Sequence, residues 1–155
     1  MTLQHELSLP NPLRTRSHES LLAIYYTASR MKKRADEFFR PFGLTDVQFN
    51  VLMLLAHQSG SRGGLSQAQL SDMMLVNRAN ITSLVDRMEK TDLVVRTAAK
   101  GDRRTNIVKL TVKSKKLLAI VEPLYYKEVK KTMLVLKDSE QKTLIKAMEK
   151  IRANL

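Results

Sequence analysis

The sequence predicts a mainly α-helical chain with one small β-wing, a fold of the α+β class. Apolar residues recur at three- and four-residue spacing, which is typical of amphipathic helices, along both ends of the 155-residue chain. Two short segments in the middle start with helix-capping residues, Ser66 and Asn77. Two β-type runs, residues 93–96 and 106–110, then flank a loop that contains Gly101. Helix, helix and two-stranded wing in this order predict a winged helix-turn-helix between long flanking helices.

Composition and charge narrow the class of protein. The chain carries 27 lysines and arginines against 15 acids, a formal net charge of +12, which indicates a nucleic-acid partner but does not separate DNA-binding from RNA-binding or histone-like proteins. It has no cysteine, which excludes disulfides and thiolate metal sites. No apolar run approaches the roughly 20 residues of a membrane span, and residues 1–6 lack a signal-peptide pattern. We therefore expect a cytoplasmic protein with no membrane partner.

The N-terminal part is predicted to be an irregular arm, residues 1–16, followed by a long helix. Ser17 is placed to cap this helix, which is expected to run to Arg40 because Pro41 stops it. The apolar stripe of the helix is long for the core of one chain. It contains Leu21, Ile24, Tyr25, Ala28, Met31, Ala35, Phe38 and Phe39.

A second helix and a short strand precede the middle unit. Thr45 with Gln48 three residues later is a capping box, a reciprocal pairing of side chains and backbone at a helix start. The residues that this helix is expected to bury are Phe49, Leu52, Met53, Leu55 and Ala56. The glycine-rich stretch 59–64 lacks the spacing of a phosphate-binding loop. We interpret it as a loop into a short strand at Leu65 that closes the wing sheet.

The middle unit is predicted to contain two short helices. Ser66 and Gln69 form a second capping box, so one helix opens at Gln67. A break at residues 76–77 ends it, and Asn77 is a favourable N-cap for the next helix. The apolar side of the first helix is expected to contain Ala68, Leu70, Met73 and Met74. The core stripe of the second contains Ile81, Leu84, Val85 and Met88.

The opposite face of the second helix is rich in polar side chains that hydrogen-bond. A helix that enters the major groove of DNA needs such side chains in its first turns. The candidates for contacts with base edges are Arg78, Asn80, Thr82 and Ser83. An ordinary solvated helix face is the alternative interpretation.

The predicted wing tip is a polar loop with several cations. Arg104 is expected to enter a narrow minor groove, where the negative potential favours arginine. Asp102 is expected to pair with it and to fix its rotamer before binding. The alternative is a solvated charged turn with a weak surface ion pair. The candidates for contacts with phosphates are Arg87, Lys100, Arg103 and Lys113.

These motifs resemble the MarR (multiple-antibiotic-resistance regulator) family of transcription factors. Asp102-x-Arg104 with Leu110-Thr111 carries the resemblance, together with Ser66-x-x-Gln69-Leu70-Ser71 and residues 85–90. It extends over the chain from about Ser17 onward. The resemblance implies that the helix from Asn77 is the recognition helix and that Arg104 is the minor-groove arginine. One departure is Asp92, where the family usually has a glycine; the turn there needs a left-handed residue, which aspartate tolerates.

The C-terminal part is predicted to contain two more helices. Thr111 caps a long one, and Asp138 with Gln141 opens the last, whose stripe contains Leu144, Ile145, Met148 and Ile151. By resemblance, residues 17–41 and 112–155 form N- and C-terminal dimerisation helices. Residues 42–111 then form the winged helix-turn-helix lobe.

Other kinds of site have little support in the sequence. His5, His18 and His57 are far apart and match no metalloprotease or nucleophile motif, so we expect no enzyme, no cofactor and no metal; zinc sensing by His18, Glu19 and His57 is the weaker alternative. The resemblance implies a pocket for a small aromatic ligand. Its candidate residues are Tyr25, Phe38, Phe39, Phe49 and Met53, and the alternative for each is a place in the core.

The sequence thus predicts a homodimeric regulator, expected to be a repressor, that binds a pseudo-palindrome in double-stranded DNA. The resemblance implies release by a small aromatic or phenolic effector. The second hypothesis is a non-specific architectural DNA-binding protein, which would bind all duplexes alike. A hydrolase or metal enzyme is a third class, for which we find no cluster of catalytic or ligand residues.

Overall fold

The structure, a computed structural model, describes the backbone of residues 2–99 and 102–155 and their side chains except those of residues 62, 99 and 102–105. In chain order the helices and strands are α1 (Leu3–Glu6), α2 (Arg16–Phe39), α3 (Asp46–His57), β1 (Leu65–Ser66), α4 (Gln67–Met74), α5 (Arg78–Lys90), β2 (Val94–Ala99), β3 (Asp102–Leu110), α6 (Val112–Met133) and α7 (Asp138–Arg152). The predicted fold class is confirmed: helices dominate, and the three strands form one small antiparallel sheet.

The start of α2 differs from the prediction. Thr15, not Ser17, is the N-cap: Thr15 Oγ1 accepts a hydrogen bond from the backbone N–H of His18 at 3.2 Å. Thr15 has the extended backbone that an N-cap requires, whereas Ser17 already lies in the first turn. The helix ends at Phe39, one residue before the predicted end, and a 3-10 turn, Arg40–Phe42, follows it.

Residues 1–16 were predicted to be irregular. In the structure this segment contains one short helix, α1. Its single turn is closed by a hydrogen bond from the Leu7 N–H to the Leu3 carbonyl at 3.0 Å. Gln4 Nε2 then donates to the Leu9 carbonyl at 3.4 Å. One turn has no hydrophobic periodicity, so the sequence pattern did not predict it.

Helix α3 begins as predicted and buries a different set of residues. Both halves of the Thr45–Gln48 capping box are present, at 2.9 and 3.2 Å. Phe49, Leu52 and Leu55 are buried as expected, but Ala56 is exposed and Met53 is only partly buried. Val51 is fully buried instead. The reason is that α3 packs on α2, β3 and α6 together, so the buried arc faces several neighbours and is not one narrow stripe.

The sheet has the order β1-β3-β2, and both strand pairs are antiparallel. The predicted short strand at Leu65 is present and pairs with Val108 of β3. The wing strands extend further than predicted, because the register pairs Ala99 with Asp102. Asp102, Arg103 and Arg104 therefore belong to β3 and not to the predicted polar loop.

An aromatic cluster joins α2, α3 and α6 at the centre of the core. The rings of Phe39 and Phe49 stack with centroids 4.4 Å apart. Tyr125 of α6 lies 5.8 Å from the first ring and 4.8 Å from the second. Burial raises the pKa of the Tyr125 hydroxyl above its ordinary value, and the nearby Asp46 carboxylate acts in the same direction.

The two C-terminal helices differ in how they start. Thr111 caps α6 as predicted, accepting from the Ser114 N–H at 3.1 Å. The predicted Asp138–Gln141 cap of α7 is wrong. Lys137 is the N-cap residue, and its backbone N–H donates to the Glu140 carboxylate at 2.7 Å. Gln141 instead donates to the Met133 carbonyl at 3.2 Å, because its amide reaches back to the open end of α6.

Helix α7 contributes no buried residue, although its sequence is amphipathic. Leu144, Ile145 and Ile151 are 42%, 56% and 43% exposed. Apolar side chains of α2 and α6, among them Leu21, Met31 and Ile120, are exposed as well. Within the described part of the chain, no helix combines the length and apolar character needed to cross a bilayer.

Gly64 permits the close approach of the loop before β1 to strand β3. A Cβ atom there would lie 2.4 Å from Cγ2 of Ile107 and 2.5 Å from the Val108 carbonyl oxygen. Gly64→Ala is therefore expected to lower the free energy of unfolding by about 1–3 kcal/mol, the usual effect of overpacking. Urea denaturation measures this change. Ser61→Ala, at an exposed position of the same loop, is the control; equal stability of both variants would contradict the close contact.

Candidate nucleic-acid interface

The turn between α4 and α5 is held by the buried Ser71. Its hydroxyl donates to the Val76 carbonyl at 2.5 Å, and its own carbonyl accepts from the Val76 N–H at 3.2 Å. Asn77 is the N-cap of α5, as predicted, and accepts from the Asn80 N–H at 2.9 Å. These bonds fix where α5 starts relative to α4.

Helix α4 shows the predicted Ser66–Gln69 capping box, with bonds of 2.9 and 3.2 Å. Leu70 is buried as expected, whereas Met73 is 46% exposed and not on a covered side. Ser71 takes the buried position instead, because its hydroxyl is needed inside the turn. The turn residue Leu75 is left-handed, with φ 53°, which costs a side chain of this type roughly 1–2 kcal/mol.

Helix α5 separates an apolar inner face from a polar outer face. The predicted stripe, Ile81, Leu84, Val85 and Met88, is buried. The outer face exposes Arg78, Asn80, Thr82, Ser83 and Arg87. The first turn of α5 contains no acidic residue. All five candidates on this helix thus share one solvent-facing surface that would attract an anion.

Thr82 differs from the other candidates on that surface. Its hydroxyl donates to the Arg78 carbonyl one turn earlier, at 2.9 Å. The proton of this hydroxyl is used within the helix, so Thr82 can offer a base edge only its lone pairs.

Arg96 of β2 connects α5 to the wing, a role that the sequence did not predict. Its guanidinium donates to Asp86 at 2.5 Å and to Glu89 at 2.6 Å, and its backbone N–H donates to Glu89 at 3.0 Å. The Arg96 side chain is only 19% exposed. Burial by itself lowers the pKa of this guanidinium, but the hydrogen bonds to Asp86 and Glu89 outweigh it and raise the pKa. The signal in the sequence was two acids at i and i+3 on α5 before an arginine in the next strand.

The C-terminal end of α5 is tied to α6. Asp92 is left-handed with φ 58°, which confirms the conformation predicted for this position. Thr111 Oγ1 donates to the Asp92 carbonyl at 2.8 Å. Lys113, a predicted phosphate contact, donates to the Thr91 carbonyl at 2.7 Å, so its ammonium lies at the negative end of the α5 dipole.

The wing tip is described only in part. Lys100 lies outside the described residues. Asp102, Arg103 and Arg104 lie in the backbone of β3, and their side chains are outside the described part of the structure. The predicted pairing of Asp102 with Arg104 therefore stays a prediction.

A cavity of about 490 Å³ lies between α2 and α6. Its lining residues are Ala28, Met31, Lys32, Arg34, Ala35, Phe38, Phe39, Asp46, Tyr125, Glu128, Val129, Thr132 and Met133. An ion pair between Arg34 and Glu128 spans it and, mainly through its hydrogen bond, lowers the pKa of the Glu128 carboxyl. Lys32 and Asp46 of the lining form a second, longer ion pair at 4.0 Å, so the cavity combines apolar side chains with two ion pairs.

The structure does not bring the predicted effector residues together in one cavity. Phe38 and Phe39 line this cavity. Met53 lines a second one, also about 490 Å³, with other residues of α3, α4 and α6. Phe49 is 1% exposed behind Phe39, and Tyr25 is 64% exposed; neither lines the two cavities.

The histidines are not brought together. His57 Nε2 lies 2.8 Å from the Glu122 carboxylate on α6, whereas His18 is in the first turn of α2. Among the described residues, no three His, Asp or Glu side chains form a group that could hold a metal ion.

The sequence of the chain is similar to the sequences of transcriptional regulators. Residues 42–105 match the sequence model described as "MarR family". The HTH-type transcriptional regulator MhqR of Bacillus subtilis is 26% identical over 140 residues, 88% of this chain and 94% of that protein. The HTH-type transcriptional repressor YetL of the same organism is 26% identical over 132 residues, 85% of this chain and 78% of that protein.

A similar fold is found in a protein bound to DNA. The crystal structure of Sco3205, a MarR family transcriptional regulator from Streptomyces coelicolor, in complex with DNA superposes with a TM-score of 0.79. The sequence identity is 23%, and the match covers 94% of this chain and 92% of the other. At this identity the likeness concerns the fold.

The attachment of α5 to the wing can be tested through Arg96. Arg96→Met keeps the unbranched stem of the side chain but removes the guanidinium, which leaves both carboxylates without their partner, so we expect the free energy of unfolding to fall by about 1–2 kcal/mol. Arg78→Met, at an exposed position with no ion pair among the described residues, is expected to change it by less than about 0.5 kcal/mol. Urea denaturation of both variants measures the difference, and equal values would contradict the role of Arg96.

Proposed function

We propose that the chain is a member of the MarR family, whose model its residues 42–105 match, and that it is a sequence-specific transcriptional regulator of double-stranded DNA that acts as a homodimer. The observation that carries this proposal is the outer face of α5. It presents Arg78, Asn80 and Ser83 together, without an acid in the first turn. The Ser71 turn and the Arg96 ion pairs hold that face in a fixed orientation.

The proposed binding mode follows from the shape of the unit. Helix α5 enters the major groove, where Arg78, Asn80, Thr82 and Ser83 meet base edges. Arg104 of the wing, positioned by Asp102, lies in the adjacent minor groove. The phosphate contacts come from Arg87, Lys100, Arg103 and Lys113. The net charge of +12 makes the affinity strongly dependent on salt, because bound counterions are released from the DNA.

A second copy of the chain is the proposed partner of the exposed apolar helices. Helix α7 has no buried residue in the single chain although its sequence is amphipathic, and an amphipathic helix whose apolar face is open to water needs a partner that covers this face. The described residues that a second copy would cover include Leu21, Met31, Ile120, Leu124, Leu144, Ile145 and Ile151. Residues 17–41 and 112–155 are the proposed dimerisation lobe, and residues 42–111 are the DNA-binding lobe. A two-fold dimer reads a pseudo-palindrome with half-sites roughly 10 bp apart.

The cavity between α2 and α6 is the proposed site for a small aromatic or phenolic effector. Its walls combine Phe38, Phe39 and Tyr125 with the Arg34–Glu128 ion pair, which suits a flat apolar ligand with a polar substituent. An occupant would change the packing of α2 on α6 and so the separation of the two recognition helices. Repression fits this release mechanism, and the relative YetL is named a repressor.

The high net charge also favours a second candidate, a non-specific architectural DNA-binding protein. Selection of bound sequences from random duplex DNA distinguishes the two. We expect a palindromic consensus with roughly 10 bp between half-site centres. Enrichment of no sequence would establish the architectural protein instead.

Two variants then test the binding mode on the selected site. Arg78→Ala, which removes a base contact, is expected to relax the preference at one position and to weaken binding by about five- to 150-fold. Arg104→Ala is expected to weaken binding and to reduce the slope of log affinity against log salt by about one for each subunit. Lys146→Ala, an exposed cation of α7, is the control and should leave specificity unchanged. Unchanged affinity in both Arg variants would remove α5 and the wing from the interface.

The effector site is tested with a panel of phenolic acids added to the preformed DNA complex. At least one is expected to weaken DNA binding by tenfold or more, a coupling of about 1.4 kcal/mol. Ala28→Phe fills the cavity from an exposed position and should abolish this response. Because the new ring occupies the site as an effector would, the free variant should itself bind DNA more weakly than the wild type. Ala119→Phe, on α6 outside the lining, should retain it. No shift with any compound would reject the proposed site for this ligand class.

A further inference from the structure

We propose that Leu75, the residue between α4 and α5, makes an apolar contact with the 5-methyl group of a thymine in the major groove. This inference rests on the proposed function, because it requires α5 to enter the groove. It adds an apolar contact to an interface that otherwise consists of polar and charged groups. The exposure and the backbone strain of Leu75 support the proposal, and the rigidity of the turn fixes where the side chain lies.

The first property is exposure: Leu75 is 91% exposed. The flanking residues Met74 and Val76 pack against the core, whereas Leu75 does not belong to it. Within the described part of the structure, the side chain therefore gains nothing from burial.

The second property is backbone strain. Leu75 has φ 53°, in the left-handed region that glycine or asparagine adopts more easily. The strained backbone lowers the stability of the free protein, and the exposed side chain gains no burial that would offset this cost. Strained residues of this kind cluster at ligand-binding and active sites.

The third observation is that the turn is rigid. Ser71 bonds both the carbonyl and the N–H of Val76, at 2.5 and 3.2 Å, and the Leu75 N–H donates to the Asp72 carbonyl at 3.4 Å. Asn77 caps α5 directly afterwards. The side chain of Leu75 is thus carried on a fixed turn beside the first residues of the recognition helix, three positions before Arg78.

The chemistry of the groove indicates the contact. Among the base edges in the major groove, the thymine 5-methyl is the apolar group, and all the others present hydrogen-bond donors and acceptors. The candidate side chains on α5 match those polar groups. The branched side chain of Leu75 matches the methyl, and its burial on binding would recover the hydrophobic free energy that the free protein does not gain.

The experiment uses the operator obtained by selection from random duplexes. Each thymine is replaced singly by deoxyuridine, which removes the methyl group and keeps the base pair. For the wild-type protein we expect one thymine in each half-site whose replacement weakens binding about three- to fivefold, the effect of losing one buried methyl group. In Leu75→Ala this sensitivity disappears. Leu75→Met, which keeps an apolar side chain, retains part of it.

Met73→Ala is the matched control, since Met73 is another exposed apolar residue of the same unit; it should keep the full thymine sensitivity. Should Leu75→Ala fail to fold, Leu75→Asn replaces it, because asparagine suits the left-handed backbone.

Each remaining outcome overturns the proposal in a recognisable way. Equal sensitivity to deoxyuridine in wild type and Leu75→Ala removes Leu75 from the thymine. A uniform loss of affinity for all duplexes in Leu75→Ala places the side chain on the sugar-phosphate backbone. A consensus with no thymine in either half-site also rejects the contact while leaving the regulator intact. Selection of no consensus rejects both this contact and the proposed function.

Discussion

The orientation of α5 on the wing depends on the ion pairs from Arg96 to Asp86 and Glu89. A helix that offers one face to a ligand has only the opposite face to hold it in place. Apolar burial of that face is strong but has no direction. The planar guanidinium adds direction, because it meets two carboxylates one turn apart while its own backbone N–H meets the second of them. Through Arg96, the sheet thereby fixes the orientation of the outer face of α5.

The C-terminal end of α5 is connected to α6 through a few polar contacts. The Thr111 hydroxyl accepts from the first turn of α6 and donates to the Asp92 carbonyl at the end of α5. Lys113 adds a bond to the neighbouring Thr91 carbonyl. Helix α6 also forms one wall of the cavity that faces α2. These contacts link one wall of the cavity to the end of α5, and we propose that an effector acts through them.

Two left-handed residues border α5, one at each end, and they differ in chemistry. Asp92 is a residue type that tolerates this conformation, and its carbonyl is used by Thr111. Leu75 is a type that does not, and its side chain has no role in the core. Both turns serve the fold, but at Leu75 the side chain itself has no use in the free protein, which is the basis of the proposed thymine contact.

The sequence by itself determined most of the features that have a local cause. The capping boxes at Thr45 and Ser66, the Asn77 cap and the buried stripe of α5 depend on residues three or four positions apart. The left-handed turn at Asp92 was expected from the family resemblance, because the family usually has a glycine at this position. Local rules failed where two candidates competed, as for Thr15 against Ser17, or where one turn was too short to show a period, as in α1.

Only the tertiary structure decided which distant residues meet. The burial of Val51 instead of Ala56, the placement of Lys113 on the Thr91 carbonyl and the cavity beside Phe38 but not Tyr25 all depend on how helices cross. The ion pairs of Arg96 join residues of one helix and the next strand, and they require the turn between these elements to have closed. Periodicity specifies which face of a helix is apolar; the angles and distances between helices are set by packing of the whole chain, which no local pattern contains.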